Sequence, residues 1–209
     1  MESITKKFKL TQFVTLLTFT CLLFVSGCAR YARNVNLLYE PTATVSGGSG
    51  EIYIIIPENK QTPSPDIKWV LGKVKDDDSK NIDEVSSPRS PAEIIQAAFG
   101  REFKKAGYTV IPTTKRPAAE QQAIDLTKTE IDLEQITDLA DLKAKCRVLV
   151  GVDVFKNGKH IKRLQYEATS SRTDIKDRDM LAINVLEDSV QSIMQKAMPE
   201  LHNLLKRHE

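Results

Sequence analysis

Cysteine is scarce in this chain of 209 residues: of three, Cys21 falls within an apolar leader, Cys28 directly follows it, and only Cys146 belongs to the body of the sequence. A domain with one cysteine of its own holds no internal disulfide. Histidine is as rare, and His160, His202 and His208 are too scattered to predict a metal cluster or a nucleophile–base triad. Gly-x-Ser-x-Gly, His-Glu-x-x-His and Cys-x-x-Cys patterns are missing as well, so no enzymatic activity is expected. Neither sign of charge prevails. With Glu2, Lys6, Lys7 and Lys9 of the leader set aside, 27 of the 30 Lys and Arg residues and 27 of the 28 Asp and Glu residues remain. That balance, without a block of five like charges, argues against nucleic acid as a partner. No internal repeat of 20 to 50 residues is visible. What is present suits a folded domain, because 41% hydrophobic and 28% charged residues supply a core and an ordinary surface.

The longest apolar run is also short. The dense stretch Phe13 to Val25 has 13 residues, whereas a spanning helix needs about 20. Behind a polar start with three lysines it reads as the hydrophobic region of a cleaved export signal covering residues 1–27. The run ends in Val25-Ser26-Gly27-Cys28, with small residues at the two positions before a cysteine. This resembles the lipobox of bacterial lipoprotein signal peptides. The resemblance implies cleavage between Gly27 and Cys28, diacylglycerol on the Cys28 thiol and an acyl group on the new amino terminus, with no other cofactor. Each buried CH₂ contributes about 0.8 kcal/mol, so one acyl chain holds marginally and two or three hold stably. Ala29-Arg30 follows the cysteine, where an aspartate would imply retention in the inner membrane. The implied location is the outer membrane, facing the periplasm.

Residues 28–34 are then expected to be a lipidated tether and residues 35–209 a single domain. Val35, Leu37 and Tyr39 alternate as in a strand. Ser46 to Gly50 is rich in glycine, but no Gly-Lys-Ser/Thr follows and the next segment, Glu51 to Pro57, reads as a strand, so a turn is expected rather than a phosphate cradle. Ile67 to Val74 predicts another strand. Asp76-Asp77-Asp78 lacks the calcium-loop spacing, since Lys80 stands where an oxygen ligand belongs, and reads as a solvated loop. Ser90-Pro91-Ala92-Glu93 is a strong helix start, with a capping box and proline at the first helical position. Ile95, Ala98, Phe99, Phe103 and Ala106 form its apolar stripe and Gly107 its left-handed stop. Tyr108 to Ile111 and Glu130 to Glu134 read as strands.

Ala144 to Ser171 predicts a long hairpin. Cys146 alternates with Val148, Val150, Val152 and Val154 and is expected on the buried face as an inert thiol. A two-residue Asn157-Gly158 turn in plain register would send Leu164 and Tyr166 to the opposite face. The expectation is therefore a three-residue loop, Lys156 to Gly158, pairing Leu164 with Val150, Tyr166 with Val148 and Arg147 with Glu167. A final helix runs from about Asp177 to Met198, with Ile183, Leu186, Val190, Ile193 and Ala197 on one face, before Pro199 kinks or breaks it.

These elements predict an α+β fold: a single antiparallel-rich sheet with a capped amphipathic helix and a long C-terminal helix packed on one face. The lipobox, the helix ending Phe103-Lys104-Lys105-Ala106-Gly107-Tyr108-Thr109-Val110, the Asn157-Gly158 hairpin and the last helix together resemble the YajG-like bacterial lipoproteins and, more loosely, auxiliary lipoproteins of envelope transport systems. The resemblance implies an outer-membrane-anchored periplasmic domain without a known catalytic site. The expected role is a non-catalytic interaction module for an envelope protein, and the alternative is a carrier of a lipid or other apolar ligand in a groove between sheet and helices. Trp69, Phe155 and Tyr166 are the candidate contacts for either.

Overall fold

The computed structural model describes residues 34–117, 121–137, 142–174 and 178–206. In chain order they form β1 (Glu51–Ile55), β2 (Trp69–Lys75), β3 (Asn81–Ser87), α1 (Pro91–Ala106), β4 (Thr109–Thr113), β5 (Gln122–Thr137), β6 (Leu142–Lys156), β7 (Lys159–Asp174) and α2 (Arg178–Lys206). The expected α+β architecture is present. One seven-stranded sheet is organised around β5. Along one edge β5 pairs antiparallel with β6, which in turn pairs with β7. Its other edge is divided: residues 122–125 run parallel to β1, which carries β4, and residues 133–136 run parallel to β2, which carries β3.

α1 forms where its capping signals stand. Ser90 Oγ accepts from Glu93 N–H at 3.1 Å, and Glu93 Oε2 accepts from Ser90 N–H at 2.8 Å. Its predicted stripe is wholly buried, each large side chain contributing about 1.5–3 kcal/mol. Gly107 closes the helix at φ 107°. A Cβ there would lie 2.7 Å from the Gly48 carbonyl oxygen. The glycine-rich segment is thus explained: Gly48 N–H donates to the α1 carbonyl of Ala106 at 2.8 Å. The aspartate run is a tight turn between β2 and β3, in which Asp76 Oδ1 accepts from Lys80 N–H.

Several expectations need correction. Val35, Leu37 and Tyr39 are buried alternately, but the segment is not a strand; a single bridge, Asn34 with Ser86, ties it to β3. Instead residues 35–45 form a strap across the helices. Arg89, Arg101 and Lys105 donate to the carbonyls of Leu37, Tyr39 and Pro41. β3 was not anticipated, and β5 is far longer than Glu130 to Glu134. The hairpin turn is the two-residue form, with Asn157 at φ 51° and Gly158 at φ 72°, the positive values such turns require. A bulge at Ile161 restores the parity that the sequence demands. Leu164 therefore faces Val152 and Tyr166 faces Val150, two residues from the expected register. The Arg147–Glu167 pair forms on the diagonal at 2.6 Å.

α2 does not break at Pro199 but continues to Lys206. Proline removes one helical N–H bond, while burial of Leu201 and Leu205 holds the final turns against the sheet. Cys146 is fully buried; its carbonyl accepts from Ser189 Oγ at 2.9 Å. Burial pushes its thiol up to about 12, which leaves it unreactive near neutral pH. Both helices contribute to one hydrophobic core running from Val35 to Leu205. Among the described residues no helix is long and apolar enough to cross a membrane.

Candidate functional site

The three candidate aromatics are not brought together. Trp69 opens β2 half-buried, and its Nε1–H donates to Thr62 Oγ1 at 2.9 Å. That hydroxyl donates in turn to Glu93, the residue that closes the α1 capping box. Tyr166 is buried beneath α2, where its hydroxyl donates to Glu200 Oε2 at 3.0 Å. Desolvation and the Glu200 carboxylate push the phenol well above its ordinary range. Both residues fasten parts of the fold. Cys28 and Gly27 lie outside the described residues.

Phe155 is different. It alternates with Val154 and Lys156 on β6, so its ring projects from the face of the sheet turned away from the core. The Arg116 guanidinium lies over that ring at 4.5 Å and His160 meets its edge at 5.3 Å. A recess of about 70 Å³ beside it is lined by Ile55, Arg116, Pro117, Gln121, Ala123, Phe155 and Gly158.

A charged row adjoins the ring. Register places Asp125 on β5 opposite Asp153 on β6, and Asp153 opposite Arg163 on β7. Arg163 grips Asp153 with two bonds, 2.7 and 2.8 Å long, and His160 Nε2 stands 3.6 Å from the same carboxylate. The Arg163 bonds hold Asp153 below the ordinary carboxylate range. Asp125 moves the other way: burial raises it, Arg116 at 3.7 Å lowers it, and Asp153 raises it further. The two acids lie low while the guanidinium groups of Arg116 and Arg163 are largely exposed. What reaches solvent is an aromatic ring flanked by Arg116 and His160, with the Arg163 guanidinium on the neighbouring carboxylate; aromatic and arginine side chains are enriched at protein interfaces.

Sequence reading found Phe155 but missed Arg116, Asp125, Asp153 and Arg163. One signal was there: Asp153 interrupts the apolar run Val148 to Phe155 and calls for a partner. The expected register put Ile161 opposite it, which hid Arg163. A second cleft, of about 410 Å³, is lined by Gly47, Ser49, Tyr108, Gln122, Leu205 and Lys206. Its mostly polar lining does not suit an apolar ligand.

No family model matches the chain. No curated protein matches it either. Similar solved structures include a DUF330-family protein from Xanthomonas campestris, at 10% identity and TM-score 0.43, covering 82% of this chain and 93% of that one. A minor lipoprotein from Acinetobacter baumannii is 6% identical with TM-score 0.42, covering 73% of this chain and 91% of its own. The rare lipoprotein B from Shewanella oneidensis is 10% identical with TM-score 0.29, covering 62% and 89%. Two of the three bear the name lipoprotein.

Proposed function

We propose that this chain is a YajG-like, lipid-anchored and non-catalytic interaction module of the cell envelope, held at the periplasmic face of the outer membrane through acylated Cys28. In this reading the Phe155 face receives an envelope protein. The lipobox supports the anchor, and one observation carries the docking role: the Phe155 ring stands between the exposed Arg116 guanidinium and His160 on the face turned away from the core. An arginine over an aromatic adds about 0.5–1 kcal/mol when exposed and more once a partner excludes water.

The test is in-cell photo-crosslinking from position 159 of the full-length protein, an exposed site on the hairpin beside Phe155, followed by mass spectrometry of recovered proteins and lipids. A specific envelope protein should come with the wild type. It should fall at least tenfold with Phe155→Ala and Arg116→Ala together, and disappear with Cys28→Ser. Recovery of that protein undiminished by the double substitution would sink the docking face. Stoichiometric lipid without protein would replace the module with the carrier.

A further inference from the structure

We propose that the strap and the β2–β3 edge form a surface that rests on the lipid bilayer, so that the domain lies on the membrane by this edge instead of swinging freely. The proposal rests on the lipid-anchor reading of Cys28.

Among the described residues the exposed large apolar side chains are Leu38, Ile67, Val70, Ile82 and Met180. Four of these five belong to the strap or to the β2–β3 edge that the strap is bridged to. Leu38 is on the strap, Ile67 lies two residues before β2, Val70 is on β2 and Ile82 on β3. Leu38 is 69% exposed and Val70 53%. Register brings Val70 and the start of the strap together. Val70 pairs with Ser86, and Ser86 bridges Asn34, so Val70, Ser86 and Asn34 point to the same side. Along the strap Val35, Leu37 and Tyr39 turn inward, which leaves Asn34, Asn36 and Leu38 outward. Exposed charged side chains of the same segments, from Asp66 and Lys68 through the Asp77-Asp78 turn to Asp83 and Glu84, give the apolar side chains a polar rim in which acids outnumber lysines.

The occupant follows from where the strap begins. Asn34 is six residues from Cys28, a distance that an extended chain covers with at most about 22 Å. A domain of this size is about 40 Å across. The leash is shorter than the body it holds, so the side bearing Asn34 is kept next to the bilayer and the apolar side chains grouped there meet lipid headgroups. The hairpin tip at Asn157-Gly158 points elsewhere. It lies beyond the β5–β6 pairing of Ala123 with Phe155, whereas β2 meets β5 at Leu133, a difference of about 30 Å along the strand.

Trp69, the single tryptophan, adjoins Val70 on β2 with its ring on the core side of the sheet, and serves as a native reporter one sheet thickness behind the patch. The full-length lipidated protein would be placed in phosphatidylethanolamine–phosphatidylglycerol vesicles with and without a headgroup nitroxide lipid. Mass spectrometry of Cys28 would be run on the same sample. The nitroxide should remove at least half of the Trp69 emission and less than a tenth of that from bimane on Lys159→Cys; buried Cys146 escapes the label. Leu38→Asp with Val70→Asp, both outward positions, should at least halve the Trp69 quenching while the protein still floats with the vesicles. If Cys28 carries lipid and Trp69 is quenched no more than the bimane, the surface proposal is overturned and the anchor stands. An unmodified Cys28 would overturn both. A Val70→Cys crosslink between copies without quenching would give the patch to a second copy and likewise overturn the proposal.

Discussion

Glu102 is buried on α1, yet its carboxylate is fully engaged: the Tyr39 hydroxyl and the backbone N–H groups of Thr42 and Ala43 all donate to it. Removing the acceptor strands three donors away from water. Glu102→Ala is expected to cost about 3 kcal/mol, read as a lowered urea midpoint at unchanged slope; a loss below about 0.5 kcal/mol would mean the strap is held elsewhere. Asp153 gives a pH-dependent prediction. Because Arg163 depresses its pKa in the folded state, the pair's stabilisation is complete at neutral pH and fades as the pH falls below the ordinary carboxylate value towards the folded one. Asp125, raised by burial, works in the opposite sense, since protonation in acid relieves its cost. Arg163→Gln should therefore lower the urea midpoint at pH 7, and urea titrations at about pH 3 should show a narrower gap from the wild type. An equal gap at both pH values would refute the assignment.

Elements were legible where their signals are local. The ends of α1 were readable because Ser90, Pro91, Glu93 and Gly107 act within a few residues of themselves. β3 was not, because at the sheet margin only Val85 and Ser87 are buried and no alternation is required of the rest. β5 was shortened in the reading because a bulge between Leu126 and Lys128 shifts the phase of its pattern. The hairpin shows the same limit. Which residues face the core was readable from apolar alternation, but Ile161 carries no mark of a bulge, so the partner of Asp153, and with it half of the charged row, stayed hidden. α2 offers a test at this scale. It runs through Pro199 with a missing N–H, so Pro199→Ala should restore a helical bond and stabilise the protein by about 1 kcal/mol or more, seen as a higher melting temperature.

For the whole molecule, the strap is part of the core and not an appendage. A chain beginning at Thr44 would lose the buried Val35, Leu37 and Tyr39, together about 4.5–9 kcal/mol at 1.5–3 each. Total stability is typically about 5–15 kcal/mol, so the truncated protein is expected to lose cooperative thermal unfolding by circular dichroism, while a chain beginning at Asn34 keeps it. The same arrangement governs how the protein bears load. Tension arriving from an anchored amino terminus would reach the Asn34–Ser86 bridge first, then Arg89 on the Leu37 carbonyl, then Arg101 and Glu102 on Tyr39, then Lys105 on the Pro41 carbonyl, and last Glu102 on the N–H groups of Thr42 and Ala43. These fastenings stand in series along the strap, and none belongs to the long ladders of β5, β6 and β7. A pulled strap would peel latch by latch while those ladders stay closed, which makes it a mechanical fuse for load drawn on its amino-terminal end.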